Sequence, residues 1–214
     1  MDAFIFDLDN CLASAREVGE TLFEPAFDAI RRANRGTLSN QALEAALQDC
    51  WVHALDFVAA KHGFSQEMLA AGWDVLRRVE VREPMQGYGD LHVLAQLGRQ
   101  RFLVTSGFRR LQESKIRALG IAPLFDAVVI DAIDEPERKG KERIFAELLQ
   151  RFRLRPDEVV VVGDNPDSEL AAGRALGMRT VQILRPDVVP AADVDHTVHD
   201  LEELQRTIAR GERP

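Results

Sequence analysis

The sequence is short of the features that mark several classes of protein. It contains two cysteines, Cys11 and Cys50, in 214 residues, which are too few for a disulfide framework and are typical of a reducing compartment. Basic residues are also in the minority, with 27 Lys and Arg against 35 Asp and Glu and a formal net charge of −8. We therefore expect neither a nucleic-acid polymer nor an anionic membrane as a partner, because both would require a basic face.

Long hydrophobic runs are missing as well. No stretch approaches the roughly 20 apolar residues that a membrane-spanning helix needs. The first residues do not resemble a secretory signal peptide, since Asp2, Asp7 and Asp9 interrupt them and no basic segment precedes them. Together with the cysteine content, this favours a cytoplasmic location. The chain is long enough for one sizeable domain, or for a domain with a modest insertion.

Short apolar segments recur along the chain and predict a parallel β-sheet. They are continuous instead of alternating, as in strands that are buried on both faces. The predicted strands are residues 3–6, 101–105, 127–130, 158–163 and 180–183. Helical patterns separate the later strands, and two of these end at Gly120 and Gly177, a common way to terminate a helix. The alternation predicts an α/β fold with a doubly wound, mainly parallel, Rossmann-like sheet.

A helical stretch of some seventy residues interrupts this alternation. Helical patterns cover residues 22–34, 40–61 and 65–80. The last two follow Ser39 and Ser65, which are suitable N-cap residues. A single crossover needs far fewer residues, so we predict an all-helical domain over residues 14–84, inserted after the first strand, and an α/β core over residues 1–13 and 85–214. Such an insertion would cover the carboxyl edge of the sheet, where open α/β folds bind ligands.

Polar side chains follow three of the predicted strands at the point where each strand ends. "FIFDLDNCL" places Asp7 and Asp9 after the first strand, Thr105 and Ser106 follow "RFLV", and Asp164 lies in "GDNPDSE". Because parallel strands direct their carboxyl ends to one edge of a sheet, we expect these groups to converge. Carboxylate oxygens suit Mg²⁺, which commonly takes substrate phosphate oxygens as further ligands.

A basic segment, "ERKGK", lies before a predicted helix and supplies positive charge for a phosphate group. It contains two lysines, Lys139 and Lys141, and either of them is a candidate for the site. Each of these motifs also has an ordinary interpretation when taken alone. The aspartate pair could be a solvated turn, and an isolated lysine is usually exposed.

In combination, the motifs resemble those of the haloacid dehalogenase-like hydrolases. "DLDNCL" resembles the first motif, DxDx(T/V)L, and Thr105 resembles the second. Lys139 in "KGKERIF" stands in the place of the third-motif lysine, and "VVGDNPDSELAAG" resembles the fourth motif in its GDxxxxD form. The helical insertion is similar to the family's C1 cap. Cys11 stands where threonine is commonest and Glu169 where aspartate is usual, so the roles of Asp167 and Glu169 stay open.

The resemblance implies a Mg²⁺-dependent phosphatase that hydrolyses a small phosphorylated metabolite. Asp7 would be the nucleophile that forms an aspartyl-phosphate, and Asp9 would be the general acid and base. An aspartate at position 9 goes with phosphoryl transfer in this family, since the dehalogenase branch lacks it. The implied metal ligands are Asp7, the backbone carbonyl of Asp9, and Asp164; the implied phosphate-binding residues are Thr105, Ser106 and Lys139.

Three other functions stay open from the sequence. A phosphomutase would use the same residues while excluding water. "DLDNCL" is also similar to nucleotidase-like members of the family, which would make a nucleoside monophosphate the substrate. A non-catalytic module that binds a phosphorylated ligand would also place Asp, Thr and Lys at strand ends, but the acidic residues of the first and fourth motifs favour catalysis. The sequence predicts neither the particular phosphomonoester nor the oligomeric state.

Overall fold

The computed structural model describes residues 3–210, and a six-stranded sheet lies at its centre. The strands are β1 (Ala3–Phe6), β2 (Gln100–Gly107), β3 (Ala127–Ala132), β4 (Val159–Gly163), β5 (Arg179–Ile183) and β6 (His196–Val198). Their order is β3-β2-β1-β4-β5-β6, and every pair of neighbours is parallel. The five predicted strands are confirmed. The predicted α/β core also includes residues 1–2 and 211–214, which lie outside the described part of the chain.

Helices cover both faces of this sheet, as the prediction of a doubly wound fold requires. The α-helices found in residues 3–210 are α1 (Glu20–Ala33), α2 (Asn40–Asp49), α3 (Leu55–His62), α4 (Gln66–Leu76), α5 (Arg109–Leu119), α6 (Lys141–Phe152), α7 (Glu169–Ala175) and α8 (Leu201–Ala209). Phe4 and Phe6 of β1 pack in one hydrophobic layer with α8, whereas Ala3 and Ile5 pack in the other with α6 and α7. None of these helices is long and apolar enough to cross a membrane.

The first four helices form the insertion between β1 and β2. Ser39 Oγ and Ser65 Oγ each accept a backbone N–H bond at 3.2 Å, which confirms both predicted N-caps. The single helix predicted over residues 40–61 is wrong: it divides into α2 and α3, with a turn between them. The insertion has its own hydrophobic cluster, which also takes in Phe108 and Leu111 of the core. It therefore packs against the carboxyl edge of the sheet, while its assignment as a separate domain stays a prediction.

A buried ion pair fixes the segment that returns from the insertion to the sheet. Arg185, which follows β5, contacts Asp90 through Nη1–Oδ2 at 2.8 Å and Nη2–Oδ1 at 3.0 Å. Arg185 Nε also donates to the carbonyl oxygen of Cys11 at 3.0 Å, and Asp90 Oδ2 accepts the backbone N–H of Leu201 at 2.7 Å. Both charged side chains are buried. The pair thus joins four separate segments, including the loop that carries Asp9.

We expect Asp90→Asn to lower the free energy of unfolding by about 3 kcal/mol, because it leaves the Arg185 guanidinium buried without its counter-ion. Urea denaturation measures the change. The matched control is Arg143→Gln, which breaks an exposed pair with Glu147 and should give no measurable loss. An Asp90→Asn protein as stable as the unmodified chain would contradict this role for the pair.

Candidate active site

Three carboxylates come together at the carboxyl edge of the sheet. Asp7 follows β1, Asp164 follows β4, and Glu169 is the first residue of α7. One carboxylate oxygen from each lies within 4.8 Å of the others, and all three residues are buried. The β1–β4 register explains the approach, because Phe6 pairs with Val162 and both strands therefore end at the same level. This is also the point where the strand order reverses, the usual ligand site of such sheets.

Glu169 belongs to the buried cluster, whereas Asp167 is exposed at the rim. Glu169 Oε1 accepts the backbone N–H of Asn165 at 2.7 Å, and Oε2 accepts from Lys141 Nζ at 2.7 Å. A Cβ at Gly163 would overlap the Glu169 carboxylate, so only glycine leaves room for this side chain. The structure therefore brings Glu169, the unusual residue of the fourth motif, into the site.

Lys141 supplies the positive charge of the cluster. Its Nζ lies 2.8 Å from Asp7 Oδ1 and 2.7 Å from Glu169 Oε2. The prediction that placed Lys139 here is corrected, because Lys139 Nζ pairs with Glu147 at 2.7 Å on the exposed surface. Lys141 lies on the buried face of α6, which packs on the sheet, whereas Lys139 precedes the helix and points outward.

The pKa values of the cluster reflect the burial of several ionisable groups close together. Burial raises the pKa of Asp7 to about 7, although Lys141 opposes the shift. Burial, together with the carboxylates of Glu169 and Asp7, raises the pKa of Asp164 to about 9. Burial by itself would lower the pKa of Lys141, but Asp7 and Glu169 outweigh it and raise that pKa, so the ammonium stays charged. Three carboxylates with one lysine form a site that favours a further cation.

Asp9 lies beside the cluster and is held by two side chains of α5. Its Oδ1 is 2.7 Å from Lys115 Nζ, and its Oδ2 accepts from Gln112 Nε2 at 3.0 Å. Gln112 Nε2 also donates to the carbonyl oxygen of Ser106 at 3.0 Å, which fixes the orientation of the amide. Sequence reasoning missed Lys115 and Gln112. The sequence feature that could have identified them is their spacing of three residues, which places two polar side chains on one face of a helix.

The two predicted hydroxyl groups are positioned differently. Thr105 is buried at the end of β2 and lines the cavity above the carboxylates. Ser106 also lines the cavity, but its Oγ donates to Asp131 Oδ2 at 3.2 Å. Because Asp131 engages the Ser106 hydroxyl, Thr105 is the better candidate for contact with a ligand.

A cavity of about 300 Å³ lies between this edge of the sheet and the helical insertion. Five of the six predicted site residues line it, and Lys139 does not; the five are Asp7, Asp9, Thr105, Ser106 and Asp164. Lys141, Lys115 and Gln112 line it as well. Buried carboxylates, a charged lysine and a hydroxyl thus face one space large enough for a small molecule.

Comparison with protein families agrees with this arrangement. The family model described as haloacid dehalogenase-like hydrolase matches residues 1–177. The chain belongs to this family. The resemblance proposed from the four motifs is therefore confirmed, and so is the prediction that the protein is an enzyme of the haloacid dehalogenase-like hydrolases.

Relatives of this haloacid dehalogenase-like hydrolase include proteins named as phosphatases. Glyceraldehyde 3-phosphate phosphatase of Methanocaldococcus jannaschii is 27% identical over 216 residues, which cover 94% of this chain and 93% of that protein. Phosphoserine phosphatase of Thermus thermophilus is 35% identical over 108 residues, 48% of this chain and 41% of that protein. The crystal structure of a HAD phosphatase from Thermococcus onnurineus shares the fold, with a TM-score of 0.64, 23% identity and full coverage of both chains. These names support a phosphoric monoester hydrolase.

Substitution can distinguish the roles of the two lysines in the "ERKGK" segment. We expect Lys141→Met to lower kcat for phosphate release about 10²–10³-fold, because a buried charge next to Asp7 is lost. Lys139→Met should leave kcat close to that of the unmodified enzyme, since Lys139 contacts only the surface residue Glu147 among the described contacts. Steady-state kinetics measures both variants, and the reverse order of effects would contradict the placement of Lys141 in the site.

Proposed function

We propose that this hydrolase is a Mg²⁺-dependent phosphatase that releases phosphate from a small phosphorylated metabolite through an aspartyl-phosphate intermediate. The observation that carries the proposal is the buried Asp7 carboxylate, which lies 2.8 Å from Lys141 Nζ and faces the cavity. Relatives that match nearly the whole chain and are named as phosphatases support the same reaction. A nucleophile, a cation site and a phosphate-binding lysine in one cavity are the parts that this chemistry needs.

The donor set of the cluster fits Mg²⁺. Hard carboxylate oxygens are its preferred protein ligands, and the site has more negative than positive charge. Both carboxylate oxygens of Glu169 already accept N–H bonds, so Asp7 and Asp164, with the backbone carbonyl of Asp9, would hold the ion. Bound there, Mg²⁺ would screen the anionic nucleophile from the anionic substrate. Glu169 would orient Lys141, and the exposed Asp167 would stay outside the ligand set.

The first chemical step would be attack of the Asp7 carboxylate on phosphorus. A bond forms between an Asp7 oxygen and phosphorus while the ester P–O bond breaks, and Asp9, which enters this step as the carboxylic acid, gives its proton to the departing alcohol oxygen. Lys141 and Thr105 would stabilise the charge on the phosphoryl oxygens. Lys115 and Gln112 hold the Asp9 carboxylate beside the cavity, where it can reach the leaving group.

The second step would hydrolyse the aspartyl-phosphate. Asp9, now a carboxylate, takes a proton from a water molecule that attacks phosphorus, and the Asp7 carboxylate is regenerated as phosphate leaves. One residue serves both steps because the second proton transfer is the reverse of the first. A phosphomutase would carry out the first step and then transfer the phosphoryl group from Asp7 to a hydroxyl group of the bound substrate, with water excluded, so release of inorganic phosphate separates the two reactions.

Substitution of the two aspartates tests the proposed roles. On a panel of phosphomonoesters that includes nucleoside monophosphates, Asp9→Asn should lower kcat about 10²–10⁴-fold, the range for loss of a general acid and base. Asp7→Asn should lower it further, because no covalent intermediate can form. Phosphate release is the measurement, and the exposed Asp157→Asn serves as a matched control with unchanged activity. Substantial turnover by Asp7→Asn would contradict the covalent route.

Removal of a metal ligand tests the cation site. We expect isothermal titration calorimetry to detect one Mg²⁺ ion per chain, and Asp164→Asn to weaken its binding at least about tenfold, as loss of a charged oxygen ligand requires. Asp167→Asn should bind Mg²⁺ as the unmodified protein does, since its carboxylate lies at the exposed rim. Equal weakening by the two substitutions would contradict the assigned ligand set.

A further inference from the structure

The cavity has two chemically different walls. The core supplies the charged wall, which contains the carboxylates and the lysines described above. The insertion supplies the opposite wall, where the large side chains are Phe23, Phe27, Trp51, Leu55, Phe57 and Leu76. Within residues 14–84, all of which the structure describes, no Asp, Glu, Lys or Arg lines the cavity. The part of a substrate that lies beyond its phosphate group therefore meets a mainly carbon surface.

The two ionisable groups that the insertion does contribute are neutral. Burial lowers the pKa of His53, so the imidazole carries no charge at neutral pH. Burial raises the pKa of the Cys50 thiol to about 12, so this cysteine behaves as a small apolar residue. Neither group offers a charged contact to a ligand.

The apolar wall continues onto the core. Phe27, Trp51 and Leu55 of the insertion belong to one hydrophobic cluster with Phe108 and Ile133, which follow β2 and β3. All five residues line the cavity. Carbon surface from both the insertion and the core thus lines this part of the cavity.

The mouth of the cavity exposes further apolar surface. Val52 is 53% exposed and Phe57 is 50% exposed, and both line the cavity. Exposed large hydrophobic side chains beside a cavity are expected where a ligand covers them. A ligand with apolar surface would remove both side chains from water.

Among residues 3–210, one arginine, Arg138, lines the cavity, and its guanidinium is already paired. Arg138 Nη1 pairs with Asp56 of α3, and Arg138 Nε lies 3.1 Å from the buried carboxylate of Asp131. Its charge is therefore balanced by two carboxylates. A second anionic group on the substrate would have to compete with both of them.

We infer that the substrate is a monophosphate ester of a mainly apolar alcohol, with an alkyl or aromatic group, and not of a polyhydroxylated one. This inference deepens the proposed function and rests on it. A polyol in the same place would bury hydroxyl groups against a mainly carbon wall, where few hydrogen-bond partners replace the lost water; the polar side chains beyond the reactive cluster and Arg138 are His53, Asn165, Asp167 and Ser168. An apolar group instead gains the free energy of leaving water, and about 300 Å³ is room for more than a three-carbon chain.

Two esters with the same six-carbon chain test the inference. We expect kcat/KM for n-hexyl phosphate to exceed that for glucitol 6-phosphate at least about tenfold, as for discrimination by a hydrophobic pocket. The hydroxyl groups make glucitol the better leaving group, so the chemistry alone would favour the opposite order. Hydrolysis of both esters with equal or reversed preference overturns the inference and leaves the proposed function standing.

A variant at the mouth of the cavity tests where the preference arises. Phe57→Ser should lower the ratio of kcat/KM for hexyl over glucitol phosphate roughly threefold, because it removes apolar contact area from a half-exposed position. Val189→Ser is the matched control, since Val189 is 78% exposed and lies outside the cavity lining. An unchanged ratio in Phe57→Ser would overturn the assignment of the apolar wall.

Binding of phosphonates tests the apolar site independently of the proposed hydrolytic function. With Mg²⁺ present, isothermal titration calorimetry should give n-hexylphosphonate at least about tenfold higher affinity than methylphosphonate, because five methylene groups leave water. If the protein hydrolyses neither ester but shows this difference, the hydrolytic function is wrong and the apolar site stands. Equal affinities for the two phosphonates overturn the apolar site.

Discussion

Three buried carboxylates share one lysine at the carboxyl end of the sheet, and the construction of the site follows from that balance of charge. Asp7 and Asp164 meet because β1 and β4 are neighbours in register. Glu169 joins them at the start of α7, where Gly163 leaves space for it. Lys141 enters from the start of α6 and contacts two of the three carboxylates. A bound cation would balance the remaining negative charge.

The core and the insertion contribute different kinds of side chain to the cavity. The sheet edge provides the charged groups, which the proposed phosphoryl transfer requires in fixed positions. The insertion provides a carbon surface that contacts whatever lies beyond the phosphate. The Asp90–Arg185 pair joins the two parts, because it connects the segment that returns from the insertion to the loop that contains Asp9 and Cys11. In the proposed mechanism, chemistry and substrate preference thus depend on different parts of the chain.

The sequence predicted the features that depend on local pattern. Buried parallel strands are continuous apolar runs, so five strands were predicted, whereas β6 has three residues and was missed. The pattern over residues 40–61 did not reveal the turn that separates α2 from α3. Lys139 and Lys141 could not be distinguished, because their directions depend on where α6 begins. Lys115 and Gln112 were missed because a polar residue on a helix usually faces solvent, and only tertiary packing turns them toward Asp9.

The central claim is that the Asp7 carboxylate becomes phosphorylated during turnover. Borohydride reduces an acyl phosphate to an alcohol and leaves a free carboxylate unchanged, so quenching the enzyme during turnover with borohydride tests the claim directly. We expect peptide mass spectrometry to find homoserine at position 7, and only when substrate and Mg²⁺ are present. Rapid phosphate release with Asp7 unmodified, or reduction at a different carboxylate, would contradict it.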